Sequence, residues 1–193
     1  MKEVNIQHAF ADFFVHEEIF INNDDICKFI YKKKEKSEGP SIWFDGTEPE
    51  LAQFYGVVQT YLDAMHTKLS LYPKLKQRIF QAWANINMNE FISVPHSHSE
   101  RAYAVISGVY YPKADENCHP IEFASNNRSV EHVIFPEIVD EVNEFNCGHK
   151  RIVPKTGTLL LFPSWLIHYV VPSGTATEDR ISLAFNADMV PKE

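Results

Sequence analysis

The sequence predicts a mainly β protein with a helical N-terminal region, an antiparallel barrel or sandwich with helices packed on its outside. Up to about residue 78, apolar residues recur mostly at helical spacing. From about residue 79 the period shortens to that of strands, in runs rich in Ile, Val, Phe and Tyr. These runs follow one another without helices between them, which favours antiparallel pairing over a βαβ sheet. A chain of 193 residues, 45 % hydrophobic and 23 % charged, suits a single globular domain. Residues 1–78 form its helical support and 79–190 its β core.

Taken in order, Asn22-Asn23-Asp24-Asp25 offers capping oxygens before ICKFIYKKKEK, whose closing lysines suit the negative end of a helix dipole. Gly39-Pro40 ends that helix. Glu48-Pro49-Glu50 opens a second, with proline near its start and acids in its first turn. Leu51, Phe54, Tyr55, Val58, Leu62, Met65 and Leu69 give it one apolar face, and Tyr72-Pro73 ends it. Strands are expected at IFQAWANIN, YAVISGVYY, IEFA, KRIVP, TLLLFP, IHYVV and RISLAFNA. The mixed stretch 126–147 reads as an insertion or crossing loop.

Composition narrows the function. With 18 Lys and Arg against 26 Asp and Glu, the formal net charge is −8, a poor basis for gripping a phosphate backbone. Three scattered cysteines argue against a disulfide scaffold and fit a reducing, cytoplasmic setting. MKEVNIQHAF lacks the apolar run of a signal peptide. The longest apolar stretch, 158–171, is broken by Pro163, Ser164 and His168, so no membrane span is expected.

Nine histidines stand out on this acidic chain. His96 and His98 form an H-x-H pair, and on a strand residues i and i+2 share a face, where two imidazoles can hold one metal ion. Adjacent surface histidines are also common, so the pair alone is weak. His168, flanked by Ile167 and Tyr169, is either a core histidine bonded to backbone or a third ligand. Arg180 opens an apolar strand and shares its face with Ser182, while Ile181, Leu183 and Phe185 face the other way. A buried arginine there needs an anion, and its planar fork suits a carboxylate; a surface ion pair is the plainer alternative.

WANINMNEFISVPHSH, SGVYY, TGTLLLFPSWLIHYVVP and RISLAFN, in that order over residues 82–186, resemble a family of 2-oxoglutarate- and Fe(II)-dependent oxygenases. That family carries W-A-N-I, P-H-x-H, S-G-V-Y-Y, G-x-L-x-L-F-P-S-x-L-x-H-x-V-x-P and R-I-S-x-x-F-N. The resemblance implies a double-stranded β-helix, the jelly-roll or cupin-like barrel, with the N-terminal helices packed on one sheet. It implies Fe(II) held by His96, His98 and His168, with 2-oxoglutarate and O2 as cosubstrates. Arg180, assisted by Ser182, matches the residue that grips the far carboxylate of 2-oxoglutarate. Asn85 and a tyrosine of SGVYY, taken as Tyr110, are candidates for the near end. Tyr110 and Tyr111 face opposite ways, so only one of them points inward.

The sequence departs from the wider superfamily, whose metal triad has two histidines and one carboxylate. His98 stands where Asp or Glu is usual. A second register, His98-Ser99-Glu100, would make Glu100 the carboxylate ligand and remove His96 from the metal. The activity implied is hydroxylation of a C–H bond of a small-molecule or peptide substrate, with release of succinate and CO2. Three rivals remain at this stage: a cupin-type metal enzyme that does not use 2-oxoglutarate, a zinc module built on Cys118, His119, Cys147 and His149, and an inactive β-helix that serves as a binding protein.

Overall fold

The computed structural model describes residues 12–87, 93–99, 104–125, 140, 141, 143, 147–173, 176 and 178–192. In chain order these form β1 (Val15–Glu18), α1 (Asn23–Lys34), β2 (Ser41–Phe44), a 3-10 turn at Pro49–Leu51, α2 (Ala52–Lys68), β3 (Leu75–Asn87), β4 (Ile106–Lys113), β5 (Ile121–Ala124), β6 (His149–Ile152), β7 (Thr158–Pro163), β8 (Ile167–Val170) and β9 (Arg180–Pro191). A six-stranded sheet has the order β1-β7-β4-β9-β3-β2, and a three-stranded sheet the order β6-β5-β8. All the strand pairs are antiparallel.

Both expected helices are present. The side chain of Asn22 accepts the Asp25 N–H at the start of α1, and Lys32, Lys33 and Lys34 close it against the dipole. The N-terminal region is not purely helical, however. β1 pairs with β7, and β2 lies along β3 with Trp43 opposite Trp83. These four-residue edge strands are too short to show a period of their own and gain their conformation from the neighbour they pair with. Likewise β3 begins at Leu75, inside the region expected to be helical, because it pairs with β9 along its whole length as far as Pro191.

The large sheet has two faces with different tasks. Ile106, Tyr110, Leu159, Leu161, Ile181, Leu183, Phe185 and Ala187 point outward and pack with Ile26, Ile30, Phe54, Val58 and Leu62 of the two helices. Val109, Tyr111, Leu160 and Phe162 point inward and meet Ile121, Phe123 and Ile152 of the small sheet. Gly108 is required by the outward packing: a Cβ there would come within 2.3 Å of the Phe185 ring and 2.7 Å of Leu161. Among the described residues, no helix is long and apolar enough to cross a membrane.

Candidate active site

The inner face of the large sheet and the short segment around His96 enclose a cavity lined by Trp83, Asn85, Asn87, His96, His98, Tyr111, His168, Arg180 and Ser182 among others. Strand pairing assembles it. His96 and His168 face each other across an isolated antiparallel bridge, with backbone N–H to C=O distances of 3.1 and 2.9 Å. The His98 N–H donates to the Ser164 carbonyl at 2.8 Å. The ring centroids of the three histidines lie 4.4 to 5.2 Å apart, and one nitrogen of each lies within 4.8 Å of the others.

The donor chemistry of this cluster fits a divalent metal ion. Nδ1 of His96 bonds the Val94 carbonyl at 2.8 Å, and Nδ1 of His168 bonds the Leu166 carbonyl at 2.9 Å. A carbonyl only accepts, so both Nδ1 atoms carry the proton, which leaves each Nε2 lone pair free to bind a metal. Burial pushes His168 down to about 3, helped by the neighbouring His96 and His98, so its imidazole is neutral at physiological pH, as a metal ligand must be.

Arg180 sits at the other end of the cavity and is 2 % exposed. Its Nη1 donates to the His119 carbonyl at 2.6 Å and its Nη2 to Asn87 Oδ1 at 3.0 Å, while its guanidinium carbon lies 5.2 Å from the centre of the Tyr111 ring. Among the described residues, Arg180 Nε and Asn87 Nδ2 are buried donors without a partner. Among the described residues, the cation meets a carbonyl, an amide oxygen and an aromatic face, and no carboxylate. A buried charge left in this state is costly unless an anion joins it. Ser182, 4 % exposed, lines the same cavity from two residues along β9. A carboxylate of 2-oxoglutarate fits these donors in charge and in hydrogen-bonding capacity.

The structure corrects one assignment. Tyr110 faces the helices, where its hydroxyl donates to the Asn23 side chain and its ring packs on Phe54. Tyr111 is the tyrosine that lines the cavity. Ile106 and Ile181 fix this alternation, since their apolar side chains must lie under the helices. Asn85 does reach the cavity, and its Oδ1 accepts the Ser41 hydroxyl at 2.7 Å. Asn87, which was not anticipated, lies on the same face two residues further on; continuing the alternation of WANIN would have found it. Glu100 and most of 126–147 lie outside the described residues.

Three members of the zinc set considered above are otherwise engaged. The Cys118 thiol donates to the Pro154 carbonyl, His119 Nδ1 accepts the Ser173 N–H at 2.8 Å, and His149 Nδ1 meets the Tyr169 hydroxyl at 3.3 Å. Among the described residues, the group able to hold a metal is His96, His98 and His168.

A family model described as "Putative 2OG-Fe(II) oxygenase" matches residues 81–186, more than half of the chain. The chain belongs to this family. As a 2OG-Fe(II) oxygenase it is an oxidoreductase that uses Fe(II), 2-oxoglutarate and O2. Solved structures share its fold. One is a prolyl-4-hydroxylase from Pseudomonas putida, 14 % identical, with a TM-score of 0.66 and 92 % of each chain covered. Another is the collagen prolyl hydroxylase of Paramecium Bursaria Chlorella virus-1 in its 2-oxoglutarate complex, 12 % identical, with a TM-score of 0.59, covering 90 % of this chain and 94 % of that one. A third is the epimerase SnoN from nogalamycin biosynthesis with Fe3+ and α-ketoglutarate, 10 % identical, with a TM-score of 0.60, covering 94 % and 82 %. No curated protein matches the chain by sequence. The oxygenase has the jelly-roll architecture expected from its sequence, built from antiparallel sheets with helices on one of them.

Proposed function

We propose that this oxygenase hydroxylates a C–H bond, with His96, His98 and His168 holding Fe(II) and Arg180, Ser182 and Asn87 holding the far carboxylate of 2-oxoglutarate. The observation that carries this reading is Arg180, a buried cation with an unpartnered Nε in the cavity that also holds the three histidines. A cupin-type enzyme without 2-oxoglutarate gives that arginine no task.

The bound metal, with 2-oxoglutarate and O2, supplies the oxidising chemistry. The chain's residues position and shield it. The Val94 and Leu166 carbonyls hold His96 and His168 in the tautomer that presents Nε2. Three neutral imidazoles would leave a bound metal its full positive charge, and the dianionic cosubstrate would offset both that charge and the one on Arg180. Asn87 Oδ1 and the His119 carbonyl fix the guanidinium, so Nε and Asn87 Nδ2 are oriented before the carboxylate arrives. The Tyr111 ring covers the cation and keeps water from its face. Phe162 and Phe123 line His168 in the same way.

The substrate reads as a small molecule or a peptide, and the net charge of −8 argues against nucleic acid. Three free cysteines fit a cytoplasmic setting. The test is thermal stability with Mn(II) in place of Fe(II). 2-Oxoglutarate should raise the Tm of the Mn(II)-loaded wild type and leave that of His168→Ala unchanged. An equal shift in both proteins overturns the ligand assignment.

A further inference from the structure

Three buried polar side chains and a half-buried fourth form a line across adjacent strands at the histidine end of the large sheet. Ser164 follows β7, Ser107 lies on β4, Asn186 on β9 and Gln81 on β3, and the sheet order places these strands side by side. Ser107 Oγ lies 2.9 Å from Ser164 Oγ and 2.7 Å from Asn186 Oδ1, and Asn186 Nδ2 lies 3.1 Å from Gln81 Oε1. Ser107, Ser164 and Asn186 are each no more than 1 % exposed.

The direction of this line follows from its chemistry. Asn186 Oδ1 can only accept, so Ser107 spends its single proton there. Ser164 must then donate to Ser107, and the Asn186 amide donates to Gln81. The register of the sheet is adjusted to permit it: a bulge between Ile79 and Gln81 sets Gln81 opposite Asn186, and Ser107 also stands opposite Asn186. Polar groups as deeply buried as Ser107, Ser164 and Asn186 cost stability unless every one is satisfied, which makes a chance alignment of the three an expensive accident.

Ser164 is where this line meets the metal site. Its carbonyl accepts the His98 N–H at 2.8 Å, and its own N–H donates to the Val105 carbonyl at 3.1 Å. It also lies in the turn that ends at Leu166, whose carbonyl orients His168. We propose that Ser107, Asn186 and Gln81 are positioning residues, which fix the Ser164 turn and through it place His98 and His168 for the metal.

The inference rests on the metal role given above to the three histidines. It is tested on the full-length, metal-free protein by calorimetric titration with Mn(II), alongside Tm. Ser107→Ala leaves the Ser164 hydroxyl without an acceptor and should weaken Mn(II) binding about tenfold, the usual size of an outer-layer effect on a metal site. Ser164→Ala should do the same, and Ser107→Ala/Ser164→Ala should be no weaker than either single variant, because both changes break one chain. A lower Tm with Mn(II) affinity within about twofold of wild type, or single effects that multiply in the double variant, would overturn the proposal. Should Ser107→Ala not fold, Gln81→Leu at the more accessible end serves in its place. It should weaken Mn(II) binding with little change in Tm, and unchanged affinity counts against the positioning role. A wild type that binds no Mn(II) would instead sink the metal assignment itself.

Discussion

Tyr110 and Tyr111 are neighbours in β4, yet they belong to different parts of the molecule. Tyr110 packs on Phe54 beneath the helices, and Tyr111 lies under Arg180 in the cavity. The same division runs along β9, where Ile181, Leu183 and Phe185 face the helices and Arg180, Ser182 and Asn186 face inward. One face holds the sheet together by close apolar packing, and the other carries polar groups whose hydrogen-bonding capacity is partly unused. A strand's two-residue alternation lets one short segment serve both purposes, and it separates their failures.

The largest effect is expected on the inner face. His168→Ala should abolish metal binding and succinate formation from 2-oxoglutarate while Tm shifts little, as followed by metal titration and by succinate assay. The outer face should behave in the opposite way. Phe185→Ala removes a fully buried ring and should cost about 3–5 kcal/mol in denaturant unfolding. Any protein that remains folded should still bind Mn(II) with wild-type affinity. If Phe185→Ala lowered metal affinity as strongly as stability, the two faces would not be separable.

Gly108→Ala is a milder challenge to the same packing. The added methyl meets Phe185 and Leu161, and overpacking of this kind costs about 1–3 kcal/mol, again read by denaturant unfolding. The smallest effect is a titration. Burial pushes both Tyr110 and Tyr111 up to about 12, Tyr110 with its hydroxyl on Asn23 and Tyr111 despite the opposing charge of Arg180. A phenol whose pKa is raised on folding stabilises the fold fully below pH 10, and that contribution is lost as pH rises from 10 towards 12. Tyrosinate absorbance should therefore show late-titrating phenols, and Tyr110→Phe and Tyr111→Phe should each remove one of them.

Much of this was legible in the sequence, because alternation within a strand is local. RISLAFN places Arg180 and Ser182 on one face, and the structure keeps them there. The long strands and both helices carry enough period to be read directly. β1 and β2 do not, because each is four residues long and owes its conformation to β7 or β3. The choice between Tyr110 and Tyr111 also depended on partners, since alternation separates two tyrosines without saying which side the helices cover. Asn87 is within reach of the same pattern, two residues beyond Asn85 on its face of the strand. The line from Ser164 to Gln81 was out of reach, for it depends on a bulge and on the order of four strands distant in sequence.

The central claim is that Arg180 is a buried cation held ready for a cosubstrate carboxylate. It is tested most directly by calorimetric titration of 2-oxoglutarate into the Mn(II)-loaded wild type and Arg180→Met, with Tm measured on both metal-free proteins. Arg180→Met removes the charge and keeps most of the volume, so its metal-free form should be about as stable as the wild type or more so. Its affinity for 2-oxoglutarate should fall about 100-fold or more, as expected when one partner of a buried charge pair is removed. Retained 2-oxoglutarate affinity in Arg180→Met would contradict the account.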